Sequence, residues 1–287
     1  MPPQNAPSTI APIENHRQRE KGVLVYPVYS RRSGGLSVGI NLFPGKKACS
    51  FDCPYCEVFP FSTNAVFSLQ QMEEDLRAVI ADAKERDIPV MDICFSGNGE
   101  PSLSPDFPAA LELVGRIRGE LVPSAKLVMI TNGVGLLDQE IFSLLADSVK
   151  DPLALDIWLK LDAGTPGWYQ LINRAEIPHD KLVAKIKEFA VLAPFTIQTM
   201  LCAVDGKAPP PDEAQAWEKL AVELAVIAAG KIRKVQIYGK ARPAPEDPKA
   251  QALPVEYLEK RAAALRQALA VSDVSTGIFV LSVEVYP

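Results

Sequence analysis

From Val23 onward, short runs of apolar and β-branched residues alternate with longer stretches in which apolar residues recur every three or four positions. The first pattern reads as buried strands and the second as amphipathic helices. Gly35–Phe43 reads as the first strand of the core. Ser68 suits a helix N-cap, and the helix it opens puts Leu69, Met72, Leu76, Val79, Ile80 and Ala83 on one face. Val90–Ser96 reads as a strand, Phe107–Leu121 as a helix and Lys126–Gly133 as a strand that ends in a turn. Helices over Asp138–Leu145, Asp180–Phe189 and Asp212–Ala229 alternate with strands over Leu153–Leu161, Phe195–Ala203 and Lys234–Gly239. Gly230 ends the third of these helices. Pro254 opens a last helix to Ala270, and Ile278–Tyr286 reads as a closing strand.

Strand followed by helix six times over implies parallel pairing through crossover helices. The expected fold is α/β: a partial (β/α)6 TIM-like barrel, with a flat doubly wound sheet as the alternative. Both place ligands at the carboxyl ends of the strands. Residues 1–21 are rich in proline and polar side chains and lack an apolar period. They read as a flexible tail, with residues 22–287 as the core domain.

Composition narrows the function classes. The 287 residues are 48% apolar and 23% charged, with a formal net charge of −5. That excludes a wholly disordered chain and disfavours nucleic-acid binding through the surface as a whole. No run approaches the ~18 apolar residues of a membrane span. The amino terminus lacks the apolar core of a secretory signal, so a cytoplasmic location is expected.

Three of the five cysteines, Cys49, Cys53 and Cys56, fall within eight residues as C-x3-C-x2-C, just after the first strand. Three thiolates on one loop can hold three corners of a 4Fe-4S cluster. The fourth iron would then lack a protein ligand, as the open position of a catalytic zinc does. A zinc-stabilised, non-catalytic binding module is the alternative. It usually needs four Cys or His ligands in spaced pairs, and neither His16 nor His179 has that spacing. Cys94 and Cys202 lie in apolar strand patterns and read as core residues.

This loop, with Tyr55 just before its last cysteine, resembles that of the radical S-adenosylmethionine (SAM) superfamily. Other pieces follow in order. Ser96–Pro101, SGNGEP, resembles the family's GGE motif, departing from it in that Asn98 stands between Gly97 and Gly99. ITNG ends the third strand and KLDAG the fourth. The flanks YSRRSGGLSVGINLFP, LDA…YQLINR and ARP resemble a subgroup of stand-alone iron–sulfur oxidoreductases related to wyosine-base synthases. The resemblance spans about residues 23 to 270.

It implies radical SAM chemistry of the 4Fe-4S cluster and S-adenosyl-L-methionine, with 5′-deoxyadenosyl radical formation and hydrogen abstraction from substrate. Cys49, Cys53 and Cys56 would bind the cluster. Tyr55, Gly97, Asn98, Gly99, Glu100, Asn132 and Asp162 would contact SAM. The bland reading of Glu100 is a helix cap. Arg31, Arg32, Trp168, Arg174 and Arg242 are the candidates for substrate contact, while Lys160 reads as a surface charge. No residue stands out as a catalytic acid or base. The expected partners are a flavodoxin- or ferredoxin-like electron donor and a small-molecule or peptide substrate. The alternative substrate is a tRNA base, with Arg31, Arg32, Lys46 and Lys47 on its phosphates.

Overall fold

The computed structural model describes residues 21–242, 244, 247–276 and 281–287. The expected tail lies outside these residues apart from Lys21, as does the beginning of the expected closing strand. The chain divides into two compact units. The first contains the chain up to Cys49 with Val58–Ile130 and Lys150–Asp156; the second contains Ser50–Glu57, Thr131–Val149 and Ile157–Pro287.

In the first unit, β1 (Val25–Ser30) runs antiparallel to β2 (Gly35–Ile40). The pattern-based reading missed this hairpin. Its short connection at residues 31–34 can join only antiparallel neighbours. Helix α1 (Leu69–Glu85) leads to β3 (Val90–Phe95), and α2 (Phe107–Leu121) leads to β4 (Lys126–Thr131). β2, β3 and β4 are parallel, in the order β1-β2-β3-β4. The Ser68 side chain accepts from the Gln71 amide, as an N-cap should. Met72, Leu76, Val79, Ile80 and Ala83 are buried as the periodicity requires, while Leu69 in the first turn is exposed.

In the second unit, α3 (Gln139–Ser148) precedes β5 (Asp156–Lys160). An unanticipated short helix follows, α4 (Pro166–Ile172), started by Pro166 and by the Thr165 hydroxyl, which accepts from the Trp168 amide. Its Trp168, Tyr169 and Ile172 are buried. Then come α5 (His179–Leu192), β6 (Phe195–Val204), α6 (Pro211–Ala228), β7 (Ile232–Gly239), β8 (Ala250–Ala252), α7 (Val255–Thr276) and β9 (Ser282–Tyr286). β5, β6, β7 and β9 are parallel neighbours in that order, and β8 adds antiparallel to β6. The end of α6 is set by Ala229 in the left-handed region, immediately before Gly230.

Register places Lys160, Gln198, Gln236 and Glu284 side by side across β5, β6, β7 and β9. Strand pairing puts all four on one face, opposite Val235 and Ile237. Barrel interiors are ordinarily filled by branched apolar residues. Here Gln198 and Gln236 are fully buried, and Gln198 Nε2 donates to Gln236 Oε1 at 2.7 Å.

His179 begins α5. Its Nε2 lies 3.2 Å from the Ala163 carbonyl, and its ring leans on Tyr169 at 5.1 Å. Burial lowers its pKa below the ordinary 6.5, with the Ala163 contact and Asp180 opposing. The unfolded chain therefore binds a proton that the folded chain resists. Stability is full above pH 6.5 and falls as pH drops through the window below it. Urea unfolding followed across about pH 5–8 should show a smaller loss towards low pH in His179→Gln than in the parent.

Candidate active site

Residues Ser50–Glu57, which carry Cys53 and Cys56, are fastened to the carboxyl end of β5 and the end of α4. Tyr55 donates its hydroxyl proton to Asp162 Oδ2, and Lys160 Nζ lies 2.6 Å from the same hydroxyl. Lys160 Nζ is also 4.3 Å from the centre of the Tyr55 ring, 5.6 Å from that of Tyr238, and 3.7 Å from Asp162 Oδ2. Asp162 Oδ1 accepts from the Met200 amide at 2.8 Å. Asn173, at the end of α4, donates through Nδ2 to Asp162 Oδ2 at 2.9 Å and approaches Cys53 Sγ at 3.6 Å. Its carbonyl accepts from the Asp52 amide at 3.0 Å and lies 3.8 Å from Cys53 Sγ.

Two arginines close the flanks. Arg174, in the left-handed region at φ 48°, pairs with Asp247 and lies 3.7 Å from Asp52. Arg242 pairs with Glu57 at 3.0 Å. Phe51 meets Tyr169 edge to face at 5.7 Å. The loop that carries the cysteines is therefore held at Phe51, Asp52, Cys53, Tyr55 and Glu57.

The charges at this site depend on one another. Burial alone would discharge Lys160, but Asp162, Tyr238 and Cys53 outweigh it and raise its pKa, so it is a cation. The expectation of a surface lysine is corrected: its side chain is only 18% exposed. Burial pushes the Cys53 thiol up to about 11, Lys160 opposing the shift and Asp162 adding to it. Burial also raises Tyr169, with Cys53 and Asp162 adding to the effect. Among the described residues, the buried Tyr169 hydroxyl has no hydrogen-bond partner.

The first unit positions Gly97–Glu100 at the carboxyl end of β3. The Ser96 amide continues the ladder onto the Ile40 carbonyl, and Ala48 bridges Gly99. A Cβ on Gly99 would stand 1.9 Å from the Ala48 carbonyl oxygen, so only glycine permits this approach. Gly97 has φ 131° and sits against Asn41. Asn98 is buried. Its amide donates to Asn41 Oδ1, and its Nδ2 donates to the Lys21 and Phe43 carbonyls. Glu100 Oε1 accepts from the Ser102 amide and hydroxyl, capping the short turn Pro101–Leu103.

Asn132 Oδ1 accepts from the Val134 amide, shaping the turn after β4. Trp168 is buried in α4, and Arg174 and Arg242 spend their charge on Asp247 and Glu57. Arg31 and Arg32 lie at the amino end of β2, where Arg32 acts on Asp92. Lys46 and Lys47 follow the carboxyl end of β2, the opposite end of the strand from Arg31 and Arg32. The four basic residues therefore do not form one patch. Cys94 and Cys202 are buried, as expected of core residues.

Cys49 is exposed, and Cys53 and Cys56 are half-buried. Among the described residues, no group of three or more His, Cys, Asp or Glu side chains is gathered around a metal position. The donor set nevertheless suits an iron–sulfur cluster, because thiolates are its standard ligands. The buried, unpartnered Tyr169 hydroxyl and the glycine-only approach at Gly99 also suit sites that receive a ligand.

No family model matches the chain. It is 28% identical over 171 residues to a UPF0026 protein of Helicobacter pylori strain 26695, an alignment covering 56% of this chain and 48% of that protein. It is 29% identical over 182 residues to a UPF0026 protein of Synechocystis, covering 61% and 63% respectively. The chain thus spans about half the length of the first of these relatives. Among solved structures, a radical SAM methyltransferase from Sphaerobacter thermophilus superposes with a TM-score of 0.59 at 15% identity, covering 90% of this chain and 68% of that one. An archaeal TYW1 superposes at 0.44 and 14% identity, covering 72% and 66%; that looser match adds nothing to the fold assignment. The fold is a partial (β/α) barrel, shared with that methyltransferase. That bears out the resemblance carried by the cysteine loop at the level of the fold. Among the described residues, no helix is long and apolar enough to cross a membrane.

The Asp162 side chain is fully buried beside a mostly buried ammonium. Removing one partner of such a pair costs about 3–5 kcal/mol, because the other charge is stranded. Asp162→Ala should lower the unfolding free energy by about that amount in urea titrations, and Lys160→Met together with Asp162→Ala should recover part of it.

Proposed function

We propose that this chain is a radical SAM enzyme. The observation that carries the reading is the C-x3-C-x2-C loop, fastened through Tyr55, Asp162 and Asn173, on a fold shared with a radical SAM methyltransferase. Cys49, Cys53 and Cys56 would hold a 4Fe-4S cluster, and Gly97–Glu100 would receive the amino group of SAM. When bound, the reduced cluster and SAM supply one-electron cleavage of the sulfonium, giving methionine and a 5′-deoxyadenosyl radical that takes hydrogen from the substrate.

The protein's own residues do the placing. Asp162 and Lys160 fix the Tyr55 hydroxyl and so orient its ring beside the cysteine loop. Phe51 and Tyr169 pack against each other beside the loop and exclude water there. Gly97 and Gly99 expose backbone where side chains would block a ligand.

The substrate of this reading is a polar small molecule or peptide. Its support is the polar row of Lys160, Gln198, Gln236 and Glu284 on one sheet face, where amide and charged groups replace an apolar layer. The proposed reductant is a flavodoxin- or ferredoxin-like protein of the cytoplasm.

The anaerobically reconstituted chain should bind about four irons, the content of one cubane cluster. It should release 5′-deoxyadenosine from SAM in the presence of a strong reductant. Single Cys49→Ala, Cys53→Ala and Cys56→Ala variants should lose both properties, and Cys94→Ala and Cys202→Ala should keep them. A full iron complement in Cys53→Ala would sink the ligand assignment.

A further inference from the structure

We infer that Asn173 is a positioning residue that sets the reduction potential of the cluster through Cys53; this rests on the cluster-binding reading above. Asn173 is 2% exposed and touches the Cys53 sulfur in two opposed ways. Its Nδ2 lies 3.6 Å from Sγ as a donor, and its carbonyl lies 3.8 Å from Sγ as an acceptor. A protonated thiol can use both contacts. A thiolate can use only the first, because a carbonyl oxygen repels a negative sulfur. Once Cys53 is a ligand, the side-chain amide is the attractive contact that Asn173 offers.

Hydrogen bonds to ligand sulfurs stabilise the more negatively charged, reduced form of an iron–sulfur cluster and raise its potential. The amide is in place for this without reorganisation. Asp162 Oδ2 accepts its other Nδ2 proton at 2.9 Å, which fixes the amide plane and decides which end faces the sulfur. The Asp52 amide holds the Asn173 carbonyl at 3.0 Å, so the neighbour of Cys53 in sequence is tied to the same residue. Arg174, next in sequence, pairs with Asp247 and lies near Asp52, locking the end of α4 against the cysteine loop. A chain of contacts thus runs from Lys160 through Asp162 and Asn173 to Cys53.

The test is a redox titration of the anaerobically reconstituted full chain, followed by electron paramagnetic resonance, with iron content measured on the same samples. Asn173→Leu keeps the shape and removes the donor. It should retain its iron and shift to a more negative potential. At fixed potential its ratio of reduced to oxidised cluster should fall by up to about fivefold, the bound reached if one ordinary hydrogen bond is gained wholly on reduction. Asn173→Gln keeps a donor and should restore most of the shift. A loaded Asn173→Leu protein at the parental potential would overturn the inference and leave the cluster reading intact. A parent chain that takes up no iron would overturn both. If Asn173→Leu fails to load, Asn173→Gln must load and titrate near the parent; failure of both variants to load would also overturn the inference.

Discussion

The buried carboxylate of Asp162 is the constraint on which the site depends. Its two oxygens gather the Met200 amide, the Tyr55 hydroxyl, the Asn173 side chain and the Lys160 ammonium. A carboxylate taken out of water is tolerable only when its lone pairs are filled and a cation stands nearby. Each partner is drawn from a different segment: β5 itself, the cysteine loop, the end of α4, and β6. Satisfying one charge therefore fixes the relative positions of four segments of the second unit. It also joins the sheet register to the loop that carries Cys53 and Cys56.

The same arrangement explains why this part of the fold is polar where a barrel sheet would ordinarily be apolar. Lys160, Gln198, Gln236 and Glu284 occupy one register row, and each finds a neighbour of complementary chemistry close by. Buried polar groups of this kind specify geometry at some cost in stability. Selection for packing alone would have favoured valine or leucine at these positions. The opposite face of the strands, which carries Ile197, Val235 and Ile237, supplies the hydrophobic packing instead.

The arginines illustrate how context reassigns a residue. Arg174 and Arg242 looked suited to anions of a substrate, yet their guanidinium groups pair with Asp247 and Glu57. Bidentate-capable cations are effective braces for loops. Both arginines add to the contacts that Tyr55, Phe51 and Cys53 already give the cysteine loop, at Asp52 and at Glu57. Glu100 likewise caps the turn that follows the glycine motif, and Asn98 secures that motif to the chain before and after β2.

Periodicity alone determined the alternating strands and helices, the buried stripe of α1 and the place of the cysteine loop after the first core strand, because these depend on neighbours within a few residues. Local turn chemistry also marked Ser68 as a cap. The hairpin partner β1, the short helix α4 and the roles of Lys160 and Asn173 emerged only from tertiary structure. Lys160 is 105 residues from Tyr55, and Asn173 is 120 from Cys53. A lysine or an asparagine carries no pattern that reveals a distant partner. Whether it faces water or a buried carboxylate is decided by which strands and loops the fold brings beside it, and the free energy of burial then assigns its charge and its hydrogen bonds.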